Sequence, residues 1–300
     1  MKILIKALIF FIILFFYLHI QYHLKINDDL EIYDIDQPSS KQKMEEICDL
    51  RQPTILNQSN NIIIQTTNVS SIVENYSAFD VKLHTIHSST NNDTTSFLSM
   101  PLHSALKIIQ EDQTASLLTE KNTEFILETT ILKTFMRNDF EYRPPFVSNC
   151  YYDIIFGSNQ SHTPFRYELN YRNYFMVTKG SVTVKLAPPK STRYLFLKND
   201  YENFEFCSPV NPWNVQPEYK DEFSKVKCME CTLSVGKTLF IPSYWWYSIQ
   251  LTEDSSVSVL KYRTYMNNVT ISPYLLRQFL QQQNIRLNIS SLSTTNNVPE

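Results

Sequence analysis

Cys228-Met-Glu-Cys231 has the spacing at which two thiolates share a zinc ion. The surrounding pattern reads as a strand, however, and residues three apart on a strand point to opposite faces. Neither a second Cys-x-x-Cys nor a nearby His pair completes a ligand set, so zinc is not expected there. The five cysteines (Cys48, Cys150, Cys207, Cys228, Cys231) do not make a small disulfide framework either. Gly-rich phosphate loops are excluded, because neither GxGxxG nor GxxxxGK[ST] can be built from the 3 Gly, at 157, 180 and 236. A net charge of −3 argues against a nucleic-acid partner, which calls for a basic face. The stretch "LFIPSYWWYSI", Leu239 to Ile249, sets two of the chain's 3 Trp side by side after a proline, which an ordinary strand does not require.

The elements around these residues are mostly short strands. Tyr151 to Phe156 is a nearly continuous apolar run. Tyr174–Thr178 and Val182–Leu186 read as two strands joined at Lys179-Gly180 and closed by Pro188-Pro189. Cys231–Val235, a turn at Gly236-Lys237, the Trp-Trp stretch and Ser256–Tyr262 continue the series. Many short strands separated by turn signals predict a sandwich or barrel, mainly β with peripheral helices. Helices are expected from Ser39 or Ser40 to Cys48, from Ser99 to Glu111, and at 273–283, where "PYLLRQFLQQQ" has Pro in its first turn. The Asn-, Ser- and Thr-rich stretch from Asn57 to Thr95 is read as strands and loops, with apolar groups at Ile62–Ile64 and Val81–Leu83. Apolar residues make up 43% of the 300, enough to bury a core.

The N-terminus differs from the rest. From Ile3 to Ile20 the only polar members are Lys6 and His19, close to the ~20 apolar residues that span a bilayer core. No small-x-small cleavage site follows, so residues 1–24 are expected to be an uncleaved membrane anchor, with 25–300 as one domain. The short lysine-bearing end is expected to stay cytoplasmic and the domain to face the lumen or exterior, in the secretory pathway or on a virion membrane. Seven Asn-x-Ser/Thr acceptors, at Asn57, Asn68, Asn75, Asn92, Asn159, Asn268 and Asn288, accord with that side of the membrane.

Four stretches, in order, resemble the cupin-like JmjC family, the jelly-roll (double-stranded β-helix) group that includes Fe(II)/2-oxoglutarate protein hydroxylases. "CDLRQPTIL" resembles that family's short helix followed by Lys/Arg-x-Pro and a β-branched run. "IIFGSNQSHTPFRYELNYRNYFMVTKGSVTVKLAPP" resembles its central core. "LSVGKTLFIPSYWWYSI" is similar to the family's Ile-Pro-x-x-Trp-Trp-His turn, and "SVSVLKYRTY" to its closing strand. The resemblance covers roughly residues 32–285, with the core jelly roll at about 140–265. The Asn-rich, Gly-poor composition fits an AT-rich genome, and membrane-anchored chains of this form resemble those of large DNA viruses.

The resemblance implies a facial triad: a His and a carboxylate two apart on one strand, and a second His from a distant strand. Arg166 stands at the first His position, Glu168 at the carboxylate and Tyr247 at the second His. A guanidinium stays protonated and offers no lone pair to a metal. A phenol with a pKa near ~10 ligates only if strongly perturbed. Thr163 and Asn173 match positions that line the family's pocket. The basic residue that would hold 2-oxoglutarate falls near Val182, with Lys185 on the opposite face. His84, His87 and His103 are placed away from the pocket.

The reading is therefore a membrane-anchored, non-catalytic binding or structural module. It expects an Arg166–Glu168 ion pair with Tyr247 as hydrogen-bond donor, no cofactor, and a protein or glycan partner on the luminal side. The alternative is an active hydroxylase with unusual ligands, using Fe(II) and 2-oxoglutarate. A third reading, with Glu168 as general base and Tyr247 as acid, has no nucleophile arrangement to support it.

Overall fold

A computed structural model of the chain describes residues 2–36, 38, 40–58, 61–86 and 97–295, with side chains as far as residue 283. Helix α1 (Lys2–Leu24) is the apolar N-terminal run, and it is long and apolar enough to cross a membrane. After β1 (Tyr33–Asp36) comes α2 (Lys41–Asp49), capped by the Ser40 hydroxyl, which accepts from the Lys43 N–H. β2 (Thr54–Asn57) pairs parallel to β1.

Two helices, α3 (Ile62–Thr66) and α4 (Val69–Tyr76), lie where the sequence predicts strands and loops. Asparagine caps explain the difference. Asn61 accepts from Ile63 N–H and Asn68 from Ser71 N–H, and Ile63, Ile64 and Ile72 are buried in one cluster. Tertiary packing has overridden the strand preference of the β-branched run. Strand β3 (Asp80–Thr85) contains the expected Val81–Leu83. β4 (Leu98–Pro101) precedes α5 (Leu102–Glu111), so the helix expected from Ser99 begins later: Ser99 and Met100 pair with Lys82 and Val81 of β3. Then follow β5 (Leu117–Thr119), α6 (Thr123–Glu128) and α7 (Ile131–Asn138).

Beyond residue 140 strand dominates. The order is β6 (Val147–Gly157), β7 (Arg166–Tyr167), β8 (Arg172–Lys179), β9 (Ser181–Ala187), β10 (Lys198–Asp200) and β11 (Glu205–Cys207). A single helical turn, α8 (Lys220–Phe223), leads to β12 (Met229–Ser234), β13 (Lys237–Pro242), β14 (Trp246–Leu251) and β15 (Ser256–Thr264). The last elements among the described residues are α9 (Tyr265–Thr270) and α10 (Ser272–Thr295), the latter extending the helix expected at 273–283.

These strands form two sheets. The larger has the order β1-β2-β13-β8-β15-β6-β5-β3-β4, and the smaller β10-β11-β7-β14-β9-β12. Together they are the expected jelly roll, widened by strands from before residue 140. Between the sheets lies an apolar core in which Phe175, Val177 and Val259 of the large sheet meet Val182, Val184, Ile249 and Leu251 of the small one. Helices α2 to α7 cover the outer face of the large sheet through a second cluster that includes Phe135, Tyr142 and Tyr174. Gly180 joins β8 to β9 at φ +68°, and a Cβ there would stand 2.9 Å from the Ser255 Cα, so only glycine fits.

Candidate functional site

β7 and β14 are neighbours in the small sheet, and Arg166 stands directly opposite Tyr247 in their register. "FIPSYWW" is the turn that brings β13 out of one sheet and β14 into the other. Its indoles are buried: Trp245 in the inter-sheet core, Trp246 against Phe165 and Tyr167 with its Nε1 donating to Thr192 Oγ1 at 2.9 Å. This packing fixes the strand that presents Tyr247, whose ring is itself fully buried against Phe175.

Arg166, Glu168 and Tyr247 do converge. Arg166 Nε donates to Tyr247 Oη at 3.3 Å, and Tyr247 Oη donates to Glu168 Oε1 at 2.9 Å. The expected Arg166–Glu168 ion pair is not the one that forms. Arg166 instead makes a two-pronged pair with Glu120, Nη2 to Oε2 at 2.6 Å and Nη1 to Oε1 at 3.2 Å. Glu168 pairs with Lys261 of β15, Nζ to Oε1 at 2.6 Å, and its other oxygen accepts from Asn170 Nδ2 at 3.1 Å. The reason is geometric: a bidentate guanidinium needs a carboxylate facing it, and Glu120, leaving β5, faces it across the cleft.

Electrostatics follow from these contacts. Burial alone would raise the Glu120 carboxyl, but the Arg166 charge, with His84 and Lys121 behind it, brings it down to about 2. Burial likewise opposes ionisation of Glu168, and the Lys261 and Arg166 charges outweigh it, leaving the group below the usual carboxylate range. The Tyr247 phenol is pushed well above its ordinary value by burial and then by the Glu168 charge, so it is a neutral donor at physiological pH. His84 corrects the expectation that it lies away from the pocket. Its Nε2 is 3.7 Å from Glu120 Oε1, and burial lowers its pKa, so the ring meets Glu120 uncharged at neutral pH. His103 is elsewhere, at the start of α5, bonded to the Ser77 carbonyl; His87 lies outside the described residues.

The network floors a cleft of about 550 Å³. Five ion pairs line it: Lys82–Glu124 at 3.1 Å, Lys121–Glu205 at 2.7 Å, Arg166–Glu205 at 3.7 Å, Arg166–Glu120 and Lys261–Glu168. Arg263, also lining the cleft, has no carboxylate partner among the described residues. Its Nε donates to Asn170 Oδ1 at 2.7 Å, and its guanidinium lies between the rings of Tyr151 and Phe204, 5.2 and 4.8 Å from their centroids. Among the described residues no three His, Cys, Asp or Glu side chains form a group that could hold a metal ion.

The remaining expected pocket residues are spent on backbone. Thr163 Oγ1 accepts from Ile249 N–H at 2.9 Å, and Asn173 Nδ2 donates to the Ile241 carbonyl at 3.1 Å, so both pin strands together behind the cleft. Lys185 faces away, bonded to the Pro212 carbonyl and stacked on Trp213. Glu120, Lys261, Glu205 and Arg263 were not singled out by sequence. A signal existed for Lys261 and Arg263: they continue the inward row Val257, Val259, and a charge on the buried face of a strand needs a partner.

Of the acceptor asparagines, Asn159 is exposed in a turn and Asn75 is exposed on α4. Asn57 donates to Asp34, Asn68 caps α4, and Asn268 donates to Ser148 Oγ. Asn92 lies outside the described residues, as does the side chain of Asn288. Cys48, Cys150, Cys207, Cys228 and Cys231 are all free thiols.

The chain matches the family model described as "Cupin-like domain" over residues 39–264. It is similar to HSPB1-associated protein 1 of Rattus norvegicus, 27% identical over 138 residues, which is 46% of this chain and 28% of that protein. The proteins of that name from Mus musculus and Homo sapiens are each 29% identical over 104 residues, 34% of this chain and 22% and 21% of theirs. The matched stretches span less than a third of these curated relatives. Since the family match runs from the cap of α2 to the last residue of β15, taking in every strand but β1, the chain belongs to the cupin-like domain family, the JmjC-like jelly rolls that its motifs resemble.

Proposed function

We propose that this chain is a membrane-anchored cupin-like domain whose metal-ligand positions have become a closed charge network, and that it works as a binding module. One observation carries the reading. At the three positions where the family's triad would lie, Arg166, Tyr247 and Glu168 are bonded to one another in series, and the outer groups are neutralised by Glu120 and Lys261. These residues do not fit iron. A cation would meet a guanidinium that cannot be deprotonated, a phenol held neutral and a carboxylate already shared among Lys261, Tyr247 and Asn170. No reaction step is assigned to the site.

What remains is a polar cleft with a satisfied floor and an aromatic-clamped guanidinium, Arg263, at its wall. That chemistry suits recognition of a carboxylate-bearing segment of a protein partner. The curated relatives are named for association with HSPB1, which is in keeping with a protein-binding role. Helix α1 supports the anchor, and the acceptor asparagines support a luminal or extracellular domain.

The test is metal content and turnover of the purified full chain. Iron below one-tenth equivalent after Fe(II) loading, and no succinate formed from 2-oxoglutarate, is the expected result. Stoichiometric iron lost in Glu168→Ala, or Fe(II)-dependent succinate, sinks the proposal and establishes the hydroxylase instead.

A further inference from the structure

Helix α1 is not joined to the domain by a free linker. Its last turn is clamped: Tyr22 Oη donates to Asp49 at 2.5 Å, and the His23 ring is buried against Tyr171, centroids 5.1 Å apart. The Tyr22 ring also lies under the Arg51 guanidinium. Just past the helix, Asn27 Nδ2 donates to the Leu50 carbonyl, and Lys190 donates from both its backbone N–H and its Nζ to Asp28. Helix α9 packs along the same end of α1. The domain therefore cannot swing away from the point where α1 emerges.

Length then decides where the bilayer must sit. His19, Ile20 and His23 are partly or fully covered, whereas Ile3 to Leu18 is exposed throughout apart from a half-covered Leu14. Sixteen residues of helix are roughly 24 Å long, short of the ~30 Å hydrocarbon core. The missing length, about four residues, is supplied only by the end of α1 that holds the covered His19, Ile20 and His23, the last of which reaches Thr264 at the cap of α9. A bilayer that accommodates the whole apolar run must reach the domain.

The surface found at that level is apolar. Phe146 is 84% exposed, Tyr265 at the start of α9 is 66% exposed, and Val269 one turn on is 38% exposed. Tyr265 N–H donates to the Phe146 carbonyl at 3.2 Å, so these two exposed residues are backbone neighbours on one surface. On the α2 side of the exit, Leu50 and Ile26 are also bare. Phe146 has φ +52°, a left-handed backbone that a bulky residue adopts at a cost, and here it holds an aromatic ring out into the surroundings.

We infer that the face formed by Phe146, Tyr265 and Val269 is seated in the headgroup layer of the membrane that α1 crosses, fixing the domain in one orientation on the lipid surface. Aromatic rings favour that zone because it offers both apolar and polar contacts. The inference rests on α1 being a membrane anchor. It goes further by assigning a second, non-spanning lipid contact.

The full chain in phosphatidylcholine vesicles tests it through tryptophan fluorescence. The wild-type emission, from the buried Trp245 and Trp246 and the half-buried Trp213, serves as the reference. Phe146→Trp and Tyr265→Trp each add one reporter on the patch at exposed positions, and circular dichroism checks folding. Acyl-chain-brominated lipid should quench the added emission at least twofold more than the wild-type emission, and aqueous iodide should quench it less than twofold. Strong iodide quenching with no effect of brominated lipid, from protein that resists alkaline carbonate extraction, overturns the seating while leaving the anchor intact. Release by carbonate overturns the anchor, and the seating with it.

Discussion

Replacing Arg166 by Met removes one half of the buried pair at the floor of the cleft. Both partners are nearly inaccessible, with side chains 7% and 4% exposed, so Glu120 would be left without its cation. Two routes give the size of the effect. Breaking a buried ion pair from one side costs about 3–5 kcal/mol. Independently, Glu120 titrates at about 2 against 4.5 for the free group, which corresponds to stability on the order of 3 kcal/mol at neutral pH. For a chain of this size each kcal/mol is roughly 2–4 °C in the thermal midpoint, so Arg166→Met should melt about 10 °C lower at pH 7. The sign with pH is fixed. A depressed carboxyl stabilises the folded state above its unfolded pKa, and that contribution is lost as pH falls from about 4.5 to about 2. The gap between wild type and variant should therefore narrow to less than half by about pH 3. Glu120→Gln combined with Arg166→Met should recover most of the loss, because no buried charge is left over. The assay is thermal unfolding in detergent, followed by the tryptophan emission, which Trp213, Trp245 and Trp246 together supply. A gap that is the same at pH 7 and pH 3, or a double variant as unstable as the single one, refutes the reasoning.

Other outcomes follow from single contacts. Tyr247→Phe keeps the buried ring but deletes the hydroxyl between Arg166 and Glu168, and should cost about 1.5–3 kcal/mol by the same melt. Gly180→Ala forces a Cβ onto Ser255 at a left-handed φ, so its midpoint should fall by several degrees while the β-rich circular dichroism is kept. In a secretory-pathway host, peptide mapping should find glycan on Asn159, whose turn is exposed. Asn68, whose Nδ2 donates to the Gln65 carbonyl, and Asn268, on the helix beside α1, should stay bare.

How much of this was legible in the sequence varies with the range of the interaction. The turn "FIPSYWW" announced two strands and a buried indole pair, because proline, aromatic mass and alternation are local signals. The convergence of Arg166, Glu168 and Tyr247 was legible only through resemblance, since β7 and β14 are far apart in the chain. Glu120 was not legible at all. It follows the three-residue strand β5, and nothing near it in sequence marks its partner 46 residues on. Helices α3 and α4 were missed for the opposite reason: their caps are local, but an isoleucine run reads as strand until the surface it packs against is known.

The scattered origin of the charge network has a consequence for how the molecule comes together. Glu120, Arg166, Tyr247 and Lys261 arrive on four separated segments, two from each sheet, spread over nearly half the chain. None of these groups can find its counterion until the large and small sheets have closed on each other, and such distant pairings are slow to assemble. Until then each charge has to remain hydrated. The last water to leave the cleft floor is therefore expected to depart only when the sandwich shuts, which makes neutralisation of Glu120 and Lys261 a late signal that the chain has reached its final topology.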